Sequence, residues 1–383
     1  MRAQILSAVT VIDMTEGVAG PYASTLLGDM GARVIKVERR EGDWQRSAGK
    51  GGAPGVGGAQ FIALNRNKRD IGVDLGTADG RRIVERLVAK ADVVVSNYRA
   101  GVMAKLGFDY ARCKALRADI IYCSISGFGQ DGPYGHRAGV DQIAQGMGGL
   151  MSITGEPGKG PMRVGIPVAD LSAGIFCAMG VLLALIEREQ SGIGQKVEVS
   201  LLGTQLALQA PEVLHYLHFG QEHERDFRAS PTVGHYRCAD ERWIMIVGID
   251  QKFWPRIATA LEVRELVDDP RFARGYARYV NRDELQRLLE EAFASNGSAH
   301  WLDRLRDADV PAALVFDYAE MSKQDQPWAN GYLVNQEHPR FGTQRVVGLH
   351  IQLSETPGEV SAPAPELGAD TDAVLRWAGL IED

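Results

Sequence analysis

Short β-rich runs alternate with helical patterns through the first third of the chain, and this alternation constrains the fold more than any single motif. Val9 to Met14 (VTVIDM) reads as a buried strand, Pro21 to Met30 as a helix opened by Gly-Pro, and Val34 to Glu38 (VIKVE) as the next strand. A weaker strand spans Ile71 to Leu75, a helix Gly80 to Lys90, and further strands Val93 to Ser96 and Ile120 to Ser126. Strands separated by helices of about ten residues imply right-handed βαβ crossovers and a mostly parallel sheet, an α/β fold. Ligands of such sheets gather outside the carboxyl ends of the strands. The Gly-rich stretch 127–135 (GFGQDGPYG) follows a strand end directly and is a candidate site wall. Residues 47–58 (SAGKGGAPGVGG) read as a flexible surface loop.

The apolar run from Leu171 to Ile186 falls short of the roughly 20 residues a membrane span needs and is expected to be a buried helix. After it the pattern breaks. Residues 220–234 are polar, and a new pattern starts at Trp243 (WIMIVGI), followed by helical stretches at Arg282 to Phe293 and His300 to Ala308. The expected organisation is a large domain over 1–224, a small α+β domain over 225–325, and a C-terminal segment, 326–383, with a capped helix around Asp370 to Trp377. A chain of 383 residues, 45% hydrophobic, supports one large core and a satellite.

Charge and cysteine usage narrow the function classes. Lys and Arg number 42 against 49 Asp and Glu, a net charge of −7, and no long basic run offers a stripe for nucleic acid. Small basic groups suit a small polyanion better than a polymer. Cys113, Cys123, Cys177 and Cys238 form no C-x-x-C pair, and read as reduced thiols of a cytoplasmic protein. The N-terminal MRAQILSAVTVIDMTEG lacks an apolar region of signal length, so no membrane partner is expected.

Few motifs carry chemistry on their own. Gly17 and Gly20 follow the first strand and Glu38 lies about 20 residues on, but G-V-A-G followed by Pro21 is not the G-x-G-x-x-G of a nicotinamide site. Arg39, Arg40, Arg66, Lys68 and Arg69 form either a solvated edge or a seat for phosphates. Asp170, in GIPVADLSAG, stands before the long apolar helix. It is either a helix cap or a carboxylate nucleophile kept ionised by the same free N–H groups. His215, His218 and His223 with Glu222 lack the H-E-x-x-H order, and no metal site is expected. Neither G-x-S-x-G nor a P-loop is present.

Several ordered segments then resemble one family. VIDMTEGVAGPYASTLLGDMGARVIKVERREGD, LNRNKRDIGVDL, ADVVVSNYRAGVMAKLGFDY, SISGFGQDGPY and VADLSAG are similar to class III CoA-transferases, the formyl-CoA and crotonobetaine/carnitine CoA-transferase family, from about residue 9 to 205 and again at PELGADTDAVLRWAGL. The resemblance implies an interlocked homodimer whose Rossmann-like large domain is completed by the C-terminal tail. It implies Asp170 as nucleophile, Asp141 as the assisting carboxyl, and CoA contacts at Val18, Ala19, Arg39, Val73, Asp74, Leu75, Asn97, Tyr98 and Lys105. The substrates would be an acyl-CoA and a small carboxylic acid, with no permanently bound cofactor and no metal.

Departures from the family pattern limit what is carried over. Formyl-CoA transferase has Gln where this chain has Val18 and His where it has Glu16, and its four-glycine flap has no counterpart around 225–245; Lys105 replaces an Arg. The oxalate/formate pair is therefore not expected. A rival in the same fold, α-methylacyl-CoA racemase, needs a His where this chain has Val140. Arg163, in PMRVGIPVAD, is a candidate to meet a second carboxylate or only a surface acid.

Overall fold

The apolar runs of the first half become strands covered on both faces. The computed structural model describes residues 3–48, 57–156, 158–221 and 230–382. In chain order these give β1 (Thr10–Met14), α1 (Ala19–Asp29), β2 (Arg33–Glu38), α2 (Ala59–Leu64), β3 (Lys68–Gly72), α3 (Ala78–Lys90) and β4 (Val93–Ser96). There follow α4 (Val102–Leu106), α5 (Tyr110–Leu116), β5 (Ile121–Ser126), α6 (Asp141–Met147), α7 (Leu150–Ile153), α8 (Val168–Ser191), β6 (Lys196–Ser200), α9 (Leu201–Leu208) and α10 (Ala210–Phe219). The six strands pair in parallel in the order β3-β2-β1-β4-β5-β6, the order of doubly wound sheets, which reverses direction between β1 and β4.

Alternate residues of each strand serve two cores. Val11, Val34, Val93 and Val95 pack with Leu27 of α1 and Ala173, Cys177 and Val181 of α8. Their neighbours Ile12, Ile35 and Val94 pack on the other face with Val84 and Leu87 of α3. Both faces being apolar explains why the runs lack a clean two-residue alternation. The third strand lies three residues before its expected place because Lys68 and Asp70, both buried, belong to it.

Helix α8 is longer than expected, 24 residues, and by length and composition it could cross a membrane. It is not uniformly buried. Ala169, Ala173, Cys177, Val181 and Ala184 face the sheet core, while Ile175, Met179, Leu183 and Ile186 are exposed. A Cβ on Gly174 would meet the Ala19 carbonyl oxygen at 2.8 Å, so glycine allows the close approach of α8 to the start of α1.

The chain divides into two compact units: Met1–Thr154, Pro161–His223 and Asp325–Asp383, and Gly155–Gly160 with Glu224–Gln324. The second holds an antiparallel sheet of β7 (Val233–Arg237), β8 (Trp243–Val247) and β9 (Ala312–Leu314). Its core gathers Tyr236, Ile244, Trp254, Phe293 and Trp301. In the first unit the C-terminal strap closes on β3: the Gly368 N–H donates to Asp70 at 2.5 Å, the Asp70 N–H donates to Asp370 at 2.9 Å, and Asn67 accepts from the N–H of Ala362 at 2.8 Å. The C-terminal helix, Thr371–Ala378, places Val374 in the core beside α3.

Candidate active site

Two hollows open at the carboxyl ends of the strands, around the point where the strand order reverses. One, of about 550 Å³, is walled by Gly17–Ala19 after β1, Asn97–Arg99 after β4, Gly139–Gln142 entering α6, and Pro167 and Asp170 at the start of α8, with Trp44 and Gln45. The other, of about 400 Å³, is walled by Val37–Glu41 after β2, Val73–Gly76 after β3, and Val102 and Leu106 of α4. They meet at Glu16 and Tyr98. A positive φ of 79° at Gly17 turns the chain out of β1 toward α1. Asn97 ties the two strand ends together: its amide donates to the Glu16 carbonyl at 2.6 Å and accepts from the Glu16 N–H at 3.0 Å.

Asp170 is not the cap of α8. It sits in the first turn after the N-cap, Pro167. The free N–H groups go to Asp141 instead, whose Oδ1 accepts from Ala169 at 2.8 Å and from Asp170 at 3.4 Å. Asp141 opens α6 and is itself fixed by Gln145, which donates to its Oδ2 at 2.7 Å and accepts from the Val164 N–H at 3.0 Å. Burial, and then the Asp141 charge, push the Asp170 carboxyl up to about 7. The result is a carboxyl poised near neutrality, not one locked as an anion.

Of the sequence-assigned ligand contacts, Val18, Ala19, Asn97 and Tyr98 line the first hollow, and Arg39, Val73, Asp74 and Leu75 line the second, where Tyr98 recurs. Lys105 is exposed and lines neither hollow; its neighbours Val102 and Leu106 do. Arg39 pairs with Glu16 at 2.7 Å, its side chain half exposed. Sequence reasoning gave no site role to Trp44, Gln45, Arg99 or Gln142, and treated Glu16 only as a departure from a family pattern; short polar segments after strand ends carry no signature of their own.

The basic cluster divides. Arg66 pairs with Asp29 at 2.7 Å and Lys68 with Asp13 at 2.9 Å, both buried, so these two are neither solvated edge nor phosphate seat. Arg69 is exposed, and Arg39 and Arg40 edge the second hollow. Stretch 127–135 does not line the Asp170 hollow: Gly127 packs against Gly139, so near that a Cβ on either would meet the other's Cα within 2.5 Å, and the segment from Gly139 forms the wall. Residues 49–56 of the expected surface loop, and Glu222 and His223 beside α10, lie outside the described residues. Arg163 is exposed and does not line the hollow.

A titratable carboxyl at the reversal point of a doubly wound sheet, beside a hollow edged by arginines, defines an α/β enzyme built for carboxyl chemistry on an anionic ligand. The chain belongs to CoA-transferase family III, whose model matches residues 6–371, and it is a CoA-transferase. It is 37% identical to a succinate–glutarate CoA-transferase of Agrobacterium fabrum over 98% of this chain and 96% of that one. It is 34% identical to a succinyl-CoA:glutarate CoA-transferase of Mus musculus over 97% of this chain and 86% of that one. A CAIB/BAIF family protein from Brucella suis superimposes with a TM-score of 0.90 at 33% identity, covering 98% of this chain and 100% of that structure.

Proposed function

We propose that Asp170 carries the transferred group, and that the acids exchanged are small dicarboxylates. The observation that carries this reading is the Asp170 carboxyl itself, opening into a hollow with no hydrogen bond from the described residues and a pKa near 7. Ionised Asp170 attacks the donor thioester carbonyl; the C–S bond breaks, giving a mixed anhydride and CoA thiolate. The thiolate attacks the aspartyl carbonyl, releasing the donor acid and leaving CoA as a thioester on Asp170. An acceptor carboxylate attacks that thioester to form a second anhydride, and the released thiolate attacks its acyl carbonyl to give the new acyl-CoA and free Asp170. Each step exchanges acyl bonds of similar energy. The amino terminus of α1, opening at Ala19 in the hollow wall, supplies partial positive charge for the tetrahedral oxyanions.

In this reading Val18, Ala19, Asn97 and Tyr98 hold the thioester end of CoA. Val73, Asp74 and Leu75 hold the nucleotide, Arg39 faces its phosphates, and Lys105 meets them from the rim; Asp141 positions Asp170. The dicarboxylate assignment is supported by the succinate and glutarate in the names of the relatives above. A racemase is disfavoured: Val140, in the hollow wall, has no proton to exchange. The active form is proposed to be a cytoplasmic homodimer, interlocked as in the family. Exposed apolar side chains on α8 and α10, among them Leu183, Leu217 and Phe219, support coverage by a second copy. The domains are proposed to be a Rossmann-like CoA-binding domain interrupted by the smaller α+β domain.

The test is incubation with assorted acyl-CoAs followed by peptide mass mapping. A CoA-sized addition on the Asp170 peptide, lost in Asp170→Ala, is expected. Absence of the adduct with every acyl-CoA, together with full activity of Asp170→Asn, overturns the reading.

A further inference from the structure

We infer that Arg99 reads the second carboxylate of the acid substrate and so sets the preference for dicarboxylates. The inference rests on the transferase reading above and adds the group that selects the acid. The walls of the Asp170 hollow bring together three carboxyl groups: Asp170, Asp141 and Glu16. Two of these are compensated locally. Asp141 accepts from the N–H groups at the start of α8 and from Gln145, and Glu16 is paired with Arg39 at 2.7 Å. Asp170 is not, and an incoming dianion would add two more negative charges beside it. Burying such a charge without a partner is costly, so a dicarboxylate needs a cation here.

Among the described lining residues Arg99 is the cation, and its guanidinium has no hydrogen bond or ion pair with the described residues. Its backbone is held on both sides. Asn97, two residues before, is clamped to Glu16 by two hydrogen bonds, and the Arg99 carbonyl accepts from the Val102 N–H at 3.1 Å at the entry to α4. A fixed backbone with an unused planar fork suits bidentate recognition of a carboxylate. Arg39 and Arg40 line the second hollow, between the ends of β2 and β3, and Arg39 is paired with Glu16 where the two hollows meet, while Arg46 pairs with Glu38 at 2.7 Å.

The test compares glutarate with monomethyl glutarate, which has the same carbon chain but one neutralised carboxylate, as acceptors for the full-length enzyme. The unaltered chain is expected to prefer glutarate. Arg99→Gln is expected to raise KM for glutarate roughly ten- to hundredfold with KM for the half-ester unchanged, and Arg99→Lys to restore part of the preference. The inference is overturned if the unaltered chain does not discriminate, or if Arg99→Gln weakens both acids equally. It is overturned too if only KM for the acyl-CoA rises whatever its acyl group, which assigns Arg99 to the CoA phosphates. The Asp170 adduct separates the two readings: should it never form, the transferase mechanism fails, and glutarate binding by calorimetry to the unaltered and Arg99→Gln chains still decides the role of Arg99.

Discussion

Asp13 and Asp170 are aspartates near the same end of one sheet, and their surroundings drive them in opposite directions. Asp13 is fully buried, yet its carboxyl accepts from Thr15, from Ser24 at 2.6 Å and from Lys68 at 2.9 Å. Burial works against its charge, but Lys68 and Lys36, then the two hydroxyls, win, and the carboxyl falls to about 2. The strain shows on the partner: burial, aided by Lys36, brings Lys68 down to about 8 against the pull of Asp13. Asp170 is half-buried without any of this. The charge that acts on it is another carboxylate, and its own helix N–H groups are taken by Asp141. Fully paired, an aspartate is structural and inert; left unpaired beside a like charge, it becomes a group whose ionisation a substrate can change.

The largest expected effect falls on the paired member. Asp13→Ala leaves Lys68 buried without its counter-charge, and urea unfolding should report a loss of about 3–5 kcal/mol. A loss within 1 kcal/mol would mean that the pair is no more than tolerated.

The pH dependence of stability then separates the two aspartates. Asp13, lowered from 3.8 to about 2, contributes stability that is present above pH 3.8 and lost as pH falls through about 2. Asp170, raised from 3.8 to about 7, contributes stability that is present below pH 3.8 and lost as pH rises through about 7. Asp170→Asn should therefore gain on the unaltered chain between pH 4 and 7, by no more than about 1.4 kcal/mol per pH unit, and level off above. Thermal melts of the two proteins across that range check the sign, and parallel curves would remove the contrast.

The smallest effect belongs to Asp141→Asn, which keeps the acceptor for the α8 N–H groups but removes the charge beside Asp170. The acid limb of the kcat/KM profile, expected near pH 7 in the unaltered chain, should move down by about a unit or less. An unmoved limb would assign the raised Asp170 value to burial alone.

Much of this was legible in one dimension. The strand-rich runs gave five of the six strands because a parallel strand is buried on both faces; β6, partly exposed along its length, left no such run, and β3 was displaced, since Lys68 and Asp70 look like surface residues until Asp13 and the C-terminal strap are seen beside them. Asp170 itself stood out at the head of the apolar helix. Its ionisation did not, because the residue that takes its N–H groups, Asp141, lies 29 positions away. Arg66 and Lys68 were misread for the same reason: their partners Asp29 and Asp13 are 37 and 55 positions distant. Arg99 left no pattern at all, because an arginine in a polar turn becomes notable only through the hollow it edges.

The strap over β3 has a consequence for synthesis. Asp70 meets its partners Gly368 and Asp370 at separations of 298 and 300 residues, so the third strand is translated early and finished last. Closing so long a loop adds little entropy cost, about 0.6 kcal/mol for each doubling of length. Time is the larger issue: until the final residues leave the ribosome, the outer strand of the sheet keeps an uncovered edge and the Asp70 carboxyl lacks its backbone donor, the Gly368 N–H. A ribosome stalled before Gly368 would hold an unsealed sheet, a ready target for chaperones or for another nascent chain.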